Sequence, residues 1–193
     1  MAQLEQILAQ LRGGDDQLAE AAAAELPACG QPALDALSQL RQDADPDVRW
    51  WAIRALAQFP TSPGLTDELV AALGDDSPEV QQCAALALCH HPAPQAISLL
   101  IRLLSSPDSL ISSLSATALT LIGPEAVPSL LEVVRNERGT ARLEAVRALA
   151  EIKDPRAIPT LMKVIESDSA VSRYWAEQGL DKLGLGMVYL KPD

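Results

Sequence analysis

The stretch Asp45-Pro46-Asp47-Val48-Arg49-Trp50-Trp51-Ala52-Ile53-Arg54-Ala55-Leu56 decides the fold. Aspartate followed by proline reads as a helix start, because proline tolerates the first helical position and an aspartate before it caps the freed amides. Val48, Ala52, Ala55, Leu56 and Phe59 then fall at i, i+4, i+7, i+8 and i+11, one face of a 3.6-residue helix. The ending Ala-x-x-Ala-Leu returns as Ala84/Ala87/Leu88, Ser115/Ala118/Leu119, Ala145/Ala148/Leu149 and Ala176/Gly179/Leu180. From Leu56 the leucines recur at intervals of 32, 31, 30 and 31 residues, and Leu26 marks a degenerate first copy thirty residues earlier. A period of this length is the signature of a helical solenoid.

Each copy holds two helices. Between successive leucines lies a second apolar stripe, such as Ile97, Leu100, Ile101 and Leu104, or Val127, Leu130, Leu131 and Val134. Proline punctuates the starts again at Ser62-Pro63, Ser77-Pro78, Ala93-Pro94, Ser106-Pro107, Gly123-Pro124 and Asp154-Pro155. Pro128 and Pro159 mark either a bent first turn or a later true start. The expected fold is all-α, a right-handed α-α superhelix of about twelve helices in six hairpins. The copies run roughly 1–30, 31–60, 61–91, 92–122, 123–152 and 153–184, followed by an apolar, glycine-punctuated tail at 185–193 expected to cap the stack.

Composition agrees. Hydrophobic residues make up 48% of the 193, but aromatics only 3%, so the core is built from Leu, Ala, Ile and Val. Alanine lets helix axes approach closely. The net charge of −11 argues against free nucleic acid as a partner, since phosphate binding needs a basic footprint. The N-terminus lacks the basic start and apolar run of a signal peptide, and no window reads as a membrane span. Three cysteines without framework spacing suit a reducing compartment. Together these lead to a cytoplasmic expectation.

The pattern Asp-x-x-Val-Arg-x-x-Ala-x-x-Ala-Leu, followed by Asp154-Pro155-Arg156-Ala157-Ile158-Pro159-Thr160-Leu161, resembles the HEAT-like repeats of phycobilisome lyases. The resemblance spans nearly the whole chain. It implies a HEAT-like solenoid acting either as a scaffold or assembly factor for a phycobilisome-type photosynthetic complex, or as a lyase subunit handling a bilin, an open-chain tetrapyrrole. The chain is short beside lyase subunits, which favours the non-catalytic reading. It departs from the family pattern where Gln81 and Ser112 stand in place of the arginine after valine, so the ladder of ion pairs between neighbouring repeats should thin there.

In such stacks the second helix of each pair lines the concave face. Positions one, two, five and six after the valine equivalent should therefore point away from the core. They are Arg49, Trp50, Ile53 and Arg54; Gln81, Gln82, Ala85 and Leu86; and Ser112, Ser113, Ala116 and Thr117. The later copies contribute Arg142, Leu143, Val146 and Arg147, then Arg173, Tyr174, Glu177 and Gln178. The candidate protein-binding residues are Arg49, Trp50, Arg54, Gln82, Arg142, Arg147, Arg173 and Tyr174, because tryptophan, tyrosine and arginine dominate binding hot spots. An arginine fork would also pair with a carboxylate, on an acidic segment or a bilin propionate. The bland alternative is that the arginines only solubilise exposed helix faces.

No catalytic constellation stands out. The chain has no glycine-rich phosphate loop, no nucleophile elbow and no distinguished acid pair. Cys83, Cys89, His90 and His91 invite a metal or iron–sulfur reading, but lack CxxC or HxxxH spacing and point different ways. Two buried small cysteines and a polar helix end are the simpler account. Asp15-Asp16 and Asp75-Asp76 read as acids at helix starts.

Overall fold

The computed structural model describes residues 2–167 and 169–186. Twelve α-helices and four short 3-10 turns occur among the described residues, with no strand. In chain order the helices are α1 (Ala2–Leu11), α2 (Asp16–Glu25), α3 (Gln31–Leu40), α4 (Pro46–Leu56), α5 (Pro63–Ala72) and α6 (Pro78–His90). They continue as α7 (Ile97–Leu103), α8 (Ser109–Ile122), α9 (Val127–Asn136), α10 (Gly139–Ile152), α11 (Ile158–Ser167) and α12 (Ala170–Lys182).

The helix starts follow from side-chain caps. Asp45 accepts from the Asp47 amide before α4, Ser77 from the Val80 amide before α6, and Asp108 from the Leu110 and Ile111 amides before α8. Each satisfies donors that the first turn leaves without an intrahelical partner. The Ser106-Pro107 start is therefore corrected. Pro107 precedes the cap, because Asp108 offers a carboxylate that reaches two amides. The doubled prolines resolve as well. Pro124 and Pro155 open 3-10 turns, at Gly123–Ala126 and Pro155–Ala157, and Pro128 and Pro159 lie in the first turn of the α-helix that follows.

The chain divides into two compact units, Met1–His91 and Pro92–Asp193. In the first, α1 pairs with α2, α3 with α4 and α5 with α6, and α4 packs against both α2 and α6. In the second, α7 pairs with α8, α9 with α10 and α11 with α12, and α10 packs against both α8 and α12. Within each unit the even-numbered helices thus form one layer, backed by their odd-numbered partners. The repeat leucines Leu26, Leu56, Leu88, Leu119, Leu149 and Leu180 are all buried, at most 2% exposed.

The stretch Ser109–Asn136 has the length and apolarity of a membrane span. It is nonetheless divided. Gly123, at φ 84°, ends α8 after 14 residues, and the chain turns into α9, which has 10. Neither helix has the roughly 20 residues a span needs. At the end of α12, Gly184 adopts φ 79° and lets the Leu185 amide donate back to the Leu180 carbonyl and its own to that of Asp181, a Schellman closure. Beyond Gly186, the tail expected to cap the stack lies outside the described residues.

Candidate functional site

The even-numbered helices carry the candidate residues, and their packing changes which positions face outward. Ile53, Ala85, Ala116 and Val146, expected to point away from the core, have no exposed surface. Ser112 is buried as well. Within the units, α4 and α10 have a lateral neighbour on each side and a hairpin partner behind, and α6 and α8 each pack laterally on one of these two. Position five consequently goes into the contact between helices of the same layer, and only a narrow strip of each helix reaches solvent.

The arginines are mostly engaged within the chain. Arg49 clamps Asp75 with two bonds, Nε to Oδ2 at 2.8 Å and NH2 to Oδ1 at 2.7 Å, and also donates to the Asp43 and Ala44 carbonyls. Arg54 pairs with Glu20. Arg147 donates to the carbonyl and hydroxyl of Ser113, each at 3.2 Å, and meets Glu144 at 2.9 Å. Arg142 donates to the Val134 carbonyl. Asp75 is therefore not simply a helix-start acid. The Arg49 bonds and the Ser77 amide hold its carboxyl below the usual carboxylate range.

Where arginine is missing, the ties shorten. Gln81 gives its amide to the Asp75 carbonyl at 2.6 Å, and Ser112 gives its hydroxyl to Ser109 within its own helix. Gln82 is half-buried, and Arg173 stands exposed on α12.

The aromatics are less committed. Trp50 and Trp51 meet edge to face, with ring centroids 4.8 Å apart and planes at 87°. Tyr174 and Trp175 repeat the arrangement at 5.5 Å and 73°. Both tryptophans of the first pair are half-buried, as is Trp175, whereas Tyr174 is 55% exposed. A cleft of about 630 Å³ opens beside Trp50 and Trp51, with the buried Leu11 and Val48 among its lining. Asp16, Asp45, Asp47 and Glu79 also line it, against a single guanidinium, Arg12. These four acids were not singled out as site residues from the sequence. The available signal was an acid at the start of each of α2, α4 and α6, which reads as capping until the three helices are known to lie side by side. In the second unit a smaller groove of about 290 Å³ is lined by Ser113, Thr117, Thr120, Arg147, Glu151 and Trp175.

The cysteines and histidines have local roles. Cys83 is buried and Cys89 half-buried, which corrects the expectation that both are buried. Burial pushes the Cys83 thiol up to about 12 and that of Cys89 up to about 11. His91 is buried, with Nε2 2.9 Å from the Ala57 carbonyl and Nδ1 2.7 Å from the Thr61 hydroxyl. A carbonyl only accepts, so Nε2 donates to Ala57, and Nδ1 shares a hydrogen bond with the Thr61 hydroxyl. His91 thus joins consecutive repeats, while its neighbour His90 is exposed. No group of three or more His, Cys, Asp or Glu side chains among the described residues is arranged to hold a metal ion.

Hairpins of this length, repeated with a leucine period near 31 residues and layered on their second helices, define an α-helical repeat protein. The sequence model of HEAT repeats matches residues 4–76, 66–139 and 113–181, and the chain belongs to that family. No curated protein matches. Among solved structures, an archaeal HEAT-like repeats protein from Thermococcus onnurineus superposes with a TM-score of 0.67 at 16% identity, covering 93% of this chain and 80% of that one. An engineered protein matches at 25% identity and a TM-score of 0.56, over 96% of this chain and 98% of its own. The complex of CpcE and CpcF of phycocyanin lyase from Nostoc sp. gives 23% identity and a TM-score of 0.56, over 94% and 77%.

Proposed function

We propose that this chain is a non-catalytic interaction scaffold that binds a protein partner on the exposed strip of its even-numbered helices. The observation that carries this reading is the pair of aromatic couples, Trp50–Trp51 and Tyr174–Trp175, left partly exposed at matching repeat positions. Exposed tyrosine and tryptophan surface adds little to a fold but much to an interface. The fold supports the reading, since repeat solenoids present extended binding surfaces.

The partner we favour belongs to the assembly, maturation or turnover of a photosynthetic complex of the phycobilisome type. This rests on the repeat pattern and on the likeness to the phycocyanin lyase complex. A bilin-handling role comes second. It would need cations for the propionates, and Arg49 and Arg54 already neutralise Asp75 and Glu20. An absorption shift when free bilin is added, lost in Arg173→Ala, would move that role to first place.

The test is affinity capture from native lysate with the intact chain and with a Trp50→Ala/Tyr174→Ala variant. Capture of a specific partner by the intact chain, lost in the variant at unchanged helical circular dichroism, is the expected result. Equal capture by both would remove these aromatics from the interface. Reversing Arg49 is a poor probe, because glutamate there would face Asp75 and disturb the fold itself.

A further inference from the structure

The first unit's cleft has a chemistry that the binding reading alone does not specify. Its wall is Trp50 and Trp51, its apolar lining includes Leu11 and Val48, and four carboxylates stand against the single Arg12. The starts of α2, α4 and α6 contribute Asp16, Asp45 with Asp47, and Glu79. Each helix start brings about half a positive charge of its own. Three such ends and Arg12 amount to roughly +2.5, which leaves the cleft negative beside four carboxylates. Local hydrogen bonds do not change that balance. Asp45 accepts from the Asp47 amide and Glu79 from the Ser77 hydroxyl, both of them neutral donors. The nearby guanidinium of Arg49 is already matched by Asp75.

A cavity with indole surface, an apolar lining and excess negative charge suits a long side chain that ends in a cation. The alkyl stem of lysine or arginine covers apolar surface while its head finds ring faces and carboxylates. Arginine forks had led to the opposite expectation, an acidic ligand, but the ion pairs found here reverse the sign at this end of the chain. We propose that the cleft beside Trp50 and Trp51 receives a lysine or arginine side chain from a basic, extended segment of a protein partner. This deepens the scaffold reading and rests on it for the existence of that partner.

The test uses the full chain and two fluorescein-labelled heptapeptides of alternating residues, one glycine and arginine, the other glycine and glutamate. Binding is read by fluorescence anisotropy. The arginine peptide should bind at least roughly tenfold tighter than the glutamate peptide. General attraction of a basic peptide to a chain of net charge −11 is separated by Trp50→Ala, which leaves the charge unchanged and should weaken binding roughly tenfold. Asp47→Asn with Glu79→Gln should weaken it by a similar factor while leaving both rings in place. Circular dichroism confirms that the variants remain helical.

Equal or tighter binding of the glutamate peptide overturns the proposal. So does arginine-peptide affinity that persists in both variants, or the absence of binding by either peptide. Those outcomes leave the scaffold reading standing wherever the aromatic variant still loses its captured partner. Peptide binding without any specific capture would instead uphold the cleft and sink the broader reading.

Discussion

Gly179 occupies the position held by Ala55, Ala87, Ala118 and Ala148 in the other copies. A Cβ added there would lie 2.8 Å from the Ala150 Cα, 2.9 Å from its Cβ and 3.0 Å from a Leu161 methyl. The backbones of α10 and α12 approach too closely for the alanine that the repeat pattern calls for. Gly179→Ala would gain up to about 1 kcal/mol in helix propensity. Overpacking against backbone costs about 1–3 kcal/mol. We therefore expect a lower thermal midpoint than wild type, measured by circular dichroism. A higher midpoint would show that α12 can shift outward without loss. Leu119, fully buried at the equivalent of Leu56, gives the opposite kind of change. Leu119→Ala leaves a cavity and should cost roughly 2–5 kcal/mol in chemical denaturation.

For single helices, spacing within the sequence identifies the face that meets the hairpin partner but not what lies to either side. The apolar stripe of α4 was legible, and so was its start, but the helix stops at Leu56, short of the Phe59 that the stripe includes. The burial of Ile53, Ala85, Ala116 and Val146 was not legible, because it comes from lateral packing of one copy on the next. The same blindness hid the use of the arginines. Arg49 looked like a binding fork because Asp75 is 26 residues away, and only the fold brings the two together. The Arg49–Asp75 tie has a pH signature. The folded carboxyl of Asp75 titrates lower than it would in the unfolded chain. Its contribution is therefore complete above the unfolded value, about 3.9, and fades as pH falls through the lower folded value. Asp75→Asn should reduce stability by about 1–3 kcal/mol at pH 7. The wild-type and variant curves should converge toward pH 2. A gap that stays constant with pH would mean that the charge of Asp75 is irrelevant to the tie.

Over the whole chain, the leucine period made the all-helical repeat architecture plain, and the pairing into hairpins followed from it. The division into two compact units of three hairpins did not, because the period runs through residues 91 and 92 without interruption. About three repeats are the minimum for an independent stack. Residues 1–91, expressed alone, should accordingly unfold in one cooperative helical transition by circular dichroism; a coil-like spectrum would show that three hairpins are too few here. The polar links inside the units each span close to one repeat: Arg54 to Glu20 across 34 residues, Arg41 to Glu68 across 27, Lys182 to Glu151 across 31 and Arg156 to the Pro124 carbonyl across 32. Two of these links are arginine–glutamate pairs, but one joins α4 to α2 and the other the end of α3 to α5, so the positions that carry the links change from step to step although the backbone is periodic. A copy moved to another place in its unit would present a donor where its new neighbour has no acceptor. The order of the copies is thus written in their polar side chains, and a shuffled chain of identical composition would keep its helices but lose its seams.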